Sequence, residues 1–140
     1  MKLMFVALAL LLPFSVSAEV FRCGEPKGVT MWSNQGHRPA QDGFTGVEPV
    51  VIVEGNEMTV VWGDTRAKGG SGSERAWKAR IVNRSPEAIS AVALDVSPIG
   101  VASMLYTMDM KRGYLYMSTH KKSETVGVST VSSYVSKCSS

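Results

Sequence analysis

The stretch that decides the fold is 103–120, which reads SMLYTMDMKRGYLYMSTH. Large apolar side chains recur at every second position on either side of a central segment, 110–113, that ends in glycine. Alternate side chains of a β-strand point to one face, and a short segment with glycine supplies a turn between two strands. The stretch therefore predicts an antiparallel hairpin with one inner face. That face carries Met104, Tyr106, Met108, Leu115, Met117 and Thr119.

The same alternation extends through most of the chain, and two further runs, 57–63 and 75–82, show it clearly. Their predicted inner faces carry Met58, Val60 and Trp62 in the first run and Trp77, Ala79 and Ile81 in the second. Shorter candidate strands are 20–23, 29–33, 50–54 and 128–138. Because closure removes exposed sheet edges, these runs predict an all-β antiparallel meander of about eight or nine strands that closes into a small barrel. A β-sandwich is the alternative.

The segment 86–96 has two interpretations. Ser85-Pro86-Glu87 is typical of a helix start, and the apolar residues that follow recur at helical spacing, which predicts a short helix. The part 89–96 also fits a strand that is buried on both faces and entered through a turn. We favour the strand because the neighbouring strands need a partner and Pro98 ends the apolar run.

The first 18 residues have the features of a signal peptide: a basic start at Lys2, the apolar run 3–12 and the small residues at 16–18. We expect 1–18 to be removed and 19–140 to form a single β domain in the periplasm or in a secreted form. The apolar run is shorter than the roughly 20 residues that a membrane-spanning helix needs, so the sequence predicts no membrane span.

The sequence contains two cysteines, Cys23 and Cys138, which lie near the two ends of the predicted domain. Thiols oxidise in exported proteins, so we expect these two residues to form a structural disulfide. There is no C-x-x-C motif, and the two histidines, His37 and His120, are far apart in sequence. The sequence therefore predicts no metal site and no cofactor.

Neither the charge nor the motifs of the chain indicate nucleic-acid binding or catalysis. A net charge of +3, spread over the chain, lacks the clustered basic residues of a nucleic-acid interface. Ser71 lies between two glycines but has no G-x-S-x-G frame, and neither histidine has an identifiable acid to orient it as a base. The sequence therefore predicts no catalytic residue and a protein that is not an enzyme.

Two long segments, 34–48 and 64–74, read as loops without secondary structure, and loops of this length are often functional. The polar residues of the first loop and the basic residues at the two ends of the 103–120 hairpin are the predicted contacts for a partner or ligand. They are His37, Arg38, Asp42, Lys111, Arg112 and His120. The tryptophans Trp32, Trp62 and Trp77 fit either the core or the wall of a ligand cavity.

An exported β meander with a cysteine at each end is similar in outline to lipocalin-like barrels and to bacterial inhibitors of C-type lysozyme. The inhibitors insert a loop into an enzyme cleft, and Gly70-Ser71-Gly72-Ser73 is reminiscent of such a loop. The Gly28 to Trp32 spacing differs from the G-x-W motif of lipocalins. No site residue is transferred from either family.

These observations predict a non-enzymatic, monomeric β domain that binds either a small apolar or sugar ligand in the barrel mouth or a partner protein through its long loops. A lysozyme-inhibitor-like or other envelope interaction protein is the second hypothesis. An enzyme that uses His37 and His120 is the third.

Overall fold

The computed structural model describes residues 17–43, 46–64 and 75–140. Most of the predicted signal peptide, 1–16, and the Gly-rich segment 65–74 lie outside these ranges. In the described part the chain forms ten strands and one 3₁₀ turn, Ser33–Gln35, with no α-helix and no helix able to span a bilayer. The strands are β1 (Glu19–Cys23), β2 (Lys27–Trp32), β3 (Pro39–Gly43), β4 (Val47–Glu54), β5 (Glu57–Asp64), β6 (Arg75–Arg84), β7 (Ala88–Ser97), β8 (Gly100–Asp109), β9 (Tyr114–Ser123) and β10 (Ser129–Ser139).

Eight of the strands close into an antiparallel barrel, which confirms the predicted fold class over the sandwich. Strands β4 to β10 pair in sequence order, and β1 closes the ring by pairing with both β4 and β10. The two extra strands branch from β10. Strand β2 pairs with residues 130–135 of β10, next to the short contact between β10 and β1. Strand β3 pairs with the other edge of β2.

The barrel core is built from the alternating inner faces that the sequence predicts. Met58, Val60, Met104, Tyr106, Met108, Leu115 and Met117 are all buried. Small and large residues face one another across β7 and β8, where Ala91 pairs with Tyr106 and Ala93 pairs with Met104. The alanines leave room for the larger partners, and burial of each large side chain stabilises the fold by about 1.5–3 kcal/mol.

Residues 88–96 belong to strand β7, and Pro86 and Glu87 lie in the turn before it, so the strand interpretation of 89–96 is confirmed and the helix is not formed. The Ser85 hydroxyl accepts hydrogen bonds from the Glu87 and Ala88 N–H groups, at 3.3 and 3.0 Å, and thereby closes a turn rather than capping a helix. The expectation that this strand is buried on both faces is wrong. Its outer side chains are exposed on the barrel surface and include Val92, Leu94 and Val96.

The disulfide between Cys23 and Cys138 is present and joins residues that lie directly across from each other in β1 and β10. Only one other residue pair, Arg22 and Ser139, belongs to this contact, so the covalent link holds a short seam of the barrel. The two cysteines are 115 residues apart in sequence. In the chain-entropy model, cross-linking a loop of about 100 residues stabilises a fold by roughly 4.7 kcal/mol.

Strand β3 corrects the prediction that 34–48 is a loop without secondary structure. All five of its residues are exposed, and Pro39 and Gly43 stand at its ends, so no apolar alternation indicates a strand. It forms because it pairs with β2, with Ala40 opposite Thr30 and Asp42 opposite Gly28. Proline is tolerated at such a sheet edge, where one side of the strand has no partner strand.

Strands β6 and β7 of the closed barrel pair over only part of their length. Their pairing extends from Arg80 opposite Val92 to Arg84 opposite Ile89, and it does not include 75–79 and 93–97. The two unpaired segments border a shallow surface depression of about 410 Å³, which we call the opening between β6 and β7. It is lined by Ala76, Trp77, Lys78, Ala93, Leu94 and Asp95.

Candidate ligand-binding site

A cavity of about 470 Å³ lies at the barrel end where β2, β3, β9 and β10 meet; we call it the mouth cavity. Trp32, Val126 and Val128 form its apolar wall, and Thr30, Asp42, Ser132, Tyr134 and Lys121 contribute its main polar groups. Residues from segments far apart in sequence meet here because β10 pairs with β2 on one side and with β9 on the other.

The polar groups of the mouth cavity form one hydrogen-bonded network around Asp42. The Tyr134 hydroxyl and the Thr30 hydroxyl both donate to Oδ2 of Asp42, each at 2.7 Å. The Gly43 N–H donates to Oδ1 at 2.8 Å. Thr30 Oγ1 also lies 2.8 Å from Ser132 Oγ and 2.8 Å from Tyr134 Oη, so the hydroxyl groups are held close together.

In this network Asp42 carries a negative charge and Tyr134 is a neutral hydrogen-bond donor. The hydrogen bonds from Tyr134 and Thr30, followed by that from Gly43, lower the pKa of Asp42 below its ordinary value, although desolvation opposes them. Asp42 is therefore a carboxylate at neutral pH. Desolvation raises the pKa of Tyr134, so its hydroxyl keeps its proton and donates. A ligand in the mouth cavity meets prearranged hydroxyl groups beside a negative charge.

A second, smaller cavity of about 110 Å³ adjoins the first inside the barrel; we call it the inner cavity. Its walls are mainly apolar and are formed by Trp62, Trp77, Met104, Tyr106 and Met117. The Trp62 indole N–H donates to the Tyr106 hydroxyl, which in turn donates to Met104 Sδ at 3.3 Å. Burial raises the pKa of Tyr106 to about 12, so this hydroxyl is neutral at physiological pH.

Lys121 lines both cavities, as does Tyr134. It occupies the inner side of β9 because it continues the odd-numbered series of Leu115, Met117 and Thr119. Within the described ranges its ammonium group forms no ion pair or hydrogen bond. By contrast, the neighbouring Lys122 lies on the outer side of β9 and pairs with Glu124 at 3.0 Å.

The structure places only one of the predicted contact residues, Asp42, in the mouth cavity. His37 and Arg38 are exposed beyond the 3₁₀ turn, and the His37 N–H donates to the Trp32 carbonyl at 3.0 Å. His120 is exposed on the outer side of β9, opposite Ser103 and Val131. Neither histidine side chain joins the network around Asp42.

The two basic residues of the β8–β9 turn lie at the other end of β9 from His120 and form surface ion pairs. Lys111 pairs with Glu87 at 3.4 Å and Arg112 pairs with Asp109 at 3.5 Å. Exposed pairs of this kind contribute only about 0.2–1 kcal/mol to stability. These residues are therefore separate from the two cavities.

Thr30, Tyr134 and Lys121 were not among the predicted contacts. A signal for Lys121 exists, because extending the alternation of the 103–120 hairpin by one residue places it on the inner face. The part of the chain that the structure describes contains no group of histidine, cysteine and acidic residues suited to a metal ion. No family of known proteins, no curated protein and no solved structure matches the chain.

Proposed function

We propose that this protein is a non-enzymatic binding protein whose small ligand occupies the mouth cavity. The observation that carries the proposal is the cavity itself, with about 470 Å³ of space, an apolar wall and a prearranged polar network. Cavities of roughly 300–1,000 Å³ that combine apolar walls with a few placed polar groups are typical of small-molecule sites.

The walls favour a ligand with both an apolar part and hydrogen-bonding groups. Trp32, Val126 and Val128 offer an apolar surface, and the indole of Trp32 also suits stacking on a sugar ring. The hydroxyl groups of Thr30 and Ser132 and the carboxylate of Asp42 offer partners for hydroxyl groups of the ligand. The cavity walls therefore suit both a small apolar ligand and a sugar, and the proposal includes both.

A non-catalytic role is favoured because Asp42 is held by three protein donors and neither histidine side chain joins its hydrogen-bonded network. An enzyme that uses His37 and His120 would need these exposed side chains to act on one substrate. The inhibitor hypothesis depends on Gly70-Ser71-Gly72-Ser73, which lies outside the described residues. The mouth cavity supports ligand binding instead.

The disulfide also bears on where the protein is located in or outside the cell. The Cys23–Cys138 link is compatible with an oxidising, exported environment. We propose that the protein acts as a monomer in the periplasm or in a secreted form.

Native mass spectrometry of protein purified from its own compartment tests the proposal. We expect a retained small molecule in the wild-type protein, lost in the Trp32→Ala variant, which removes part of the cavity wall. Tyr116→Ala is the matched control because Tyr116 is an exposed aromatic residue outside the mouth and inner cavities. A retained protein partner in place of a small molecule contradicts the proposal. An activity abolished by alanine at one polar residue, with folding intact, contradicts the non-enzymatic part.

A further inference from the structure

We infer that the ligand is an amphipathic monoanion, an inference that rests on the proposed function. Its carboxylate lies at Lys121 and its short aliphatic chain extends into the inner cavity. The two halves of this assignment come from separate observations, the unpaired charge of Lys121 and the apolar walls that adjoin it.

The anionic group is indicated by the charges of the mouth cavity. Asp42 already accepts three hydrogen bonds from protein groups, whereas the Lys121 ammonium has no partner within the described ranges. An ammonium group with free donors beside a cavity is complementary to a carboxylate, since charge-assisted hydrogen bonds are stronger than neutral ones. Lys121 supplies one positive charge that no group in the described ranges pairs with, so we assign the ligand one negative charge.

The aliphatic chain is indicated by the walls and the size of the inner cavity. Trp62, Trp77, Met104 and Met117 present apolar surface, and methionine side chains adapt to the shape of a chain. The volume of about 110 Å³ is smaller than the roughly 150 Å³ cavity that holds benzene in another protein. The inner cavity therefore has room for a chain of only a few carbon atoms.

One molecule can satisfy both requirements because Lys121 borders both cavities. A carboxylate bound to the exposed ammonium group of Lys121 stays in contact with water, and the aliphatic chain is buried in the inner cavity. This arrangement keeps the charged group hydrated while it buries the apolar surface of the chain.

NMR of protein labelled at the methionine methyl groups tests the inference with hexanoate and hexanol as probes. We expect hexanoate to shift the resonances of Met104 and Met117, which line the inner cavity. Met58 and Met108 are internal controls, because they are buried in the same core but do not line that cavity. Hexanoate binds about three- to tenfold more tightly than hexanol, which has the same chain without the charge.

Two lysine variants separate the charge from its position. In Lys121→Gln we expect hexanoate and hexanol to bind with equal affinity, so that the three- to tenfold preference for the anion is lost. Lys122→Gln makes the same change of charge one residue away, on the outer side of β9, and leaves both affinities unchanged. Both lysines are exposed, so we expect both variants to fold, with unfolding transitions that match the wild type.

The outcomes distinguish this inference from the proposed function. Equal affinities for hexanoate and hexanol in the wild type, or an unchanged hexanoate affinity in Lys121→Gln, overturn the anionic assignment. Shifts that spare Met104 and Met117 overturn the assignment of the chain to the inner cavity. In each of these cases, a natural small molecule retained in the native mass spectrum still supports the proposed function. If no small molecule is retained, both the proposed function and the ligand assignment are contradicted.

Discussion

Gly28 lies directly across from Tyr134 in the pairing of β2 with β10, and the two backbones approach so closely that no side chain fits at position 28. A β-carbon there would collide with the carbonyl group of Ser133. This close approach brings Thr30, two residues further along β2, to the hydroxyl of Tyr134. The polar network of the mouth cavity therefore depends on a glycine that contributes no polar group to it.

Replacing Gly28 by alanine is expected to destabilise the protein by about 1–3 kcal/mol, because the added methyl group pushes β2 away from β10. Urea unfolding measures the change. Gly63→Ala is the matched control, since Gly63 also lies in a strand and its nearest new contact would be an ordinary 3.8 Å from Glu48 O. Equal stability of the two variants would show that β2 and β10 are not in this close contact.

The disulfide is expected to contribute about 2–4 kcal/mol to the free energy of unfolding, the typical measured range, which lies below the value from the chain-entropy model. Its effect is large because it closes a loop of 115 residues and holds a seam of only two residue pairs. Urea unfolding with and without reductant measures the contribution. A variant with serine at both Cys23 and Cys138 should match the reduced wild type and be insensitive to reductant. A wild-type protein whose unfolding does not change with reductant would contradict the assignment.

Much of the fold could be predicted from the sequence because the inner faces of β5, β6, β8 and β9 follow a strict period of two. The exposed strand β3 could not, since all of its side chains are exposed and the pairing with β2 alone makes it a strand. The burial of β7 was also predicted incorrectly. The consecutive apolar residues 91–94 are typical of a strand covered on both faces, but in this barrel the outer side chains Val92 and Leu94 are exposed.

The candidate site was harder to predict than the fold because its partners are distant in sequence. Asp42 and Tyr134 are 92 residues apart, and they meet only through the registers of β3 with β2 and of β2 with β10. Composition and periodicity contain no information on those registers. Lys121 is different, because its inward direction follows from the alternation of its own strand.

Tyr134→Phe is expected to raise the pKa of Asp42 towards its ordinary value, because the hydroxyl of Tyr134 is the largest cause of its lowering. A carboxyl group with a lowered pKa in the folded protein contributes stability above its unfolded pKa of about 3.9, and that stability is lost as the pH falls through the folded pKa. The variant should therefore lose less stability than the wild type in acid.

NMR titration of the Asp42 carboxyl carbon measures this pKa, and urea unfolding as a function of pH measures its effect on stability. Tyr116→Phe is the control, since Tyr116 is exposed and lies outside the network. An Asp42 pKa that is the same in the wild type and in Tyr134→Phe would contradict the hydrogen bond between them.

The opening between β6 and β7 is expected to be visible in hydrogen exchange. Residues 93–97 pair with β8 on one side but have no partner in β6, whereas 89–92 pair on both sides. Alternate amide hydrogens of a strand point to the same neighbour, so those of 93–97 that point towards β6 meet water. They should exchange faster than the amide hydrogens of 89–92, while those that point towards β8 stay protected.

The corresponding residues of β8, which pair with both β7 and β9, are the internal control. Uniform protection along β7 would mean that β6 and β7 are paired over their whole length and that the wall is closed.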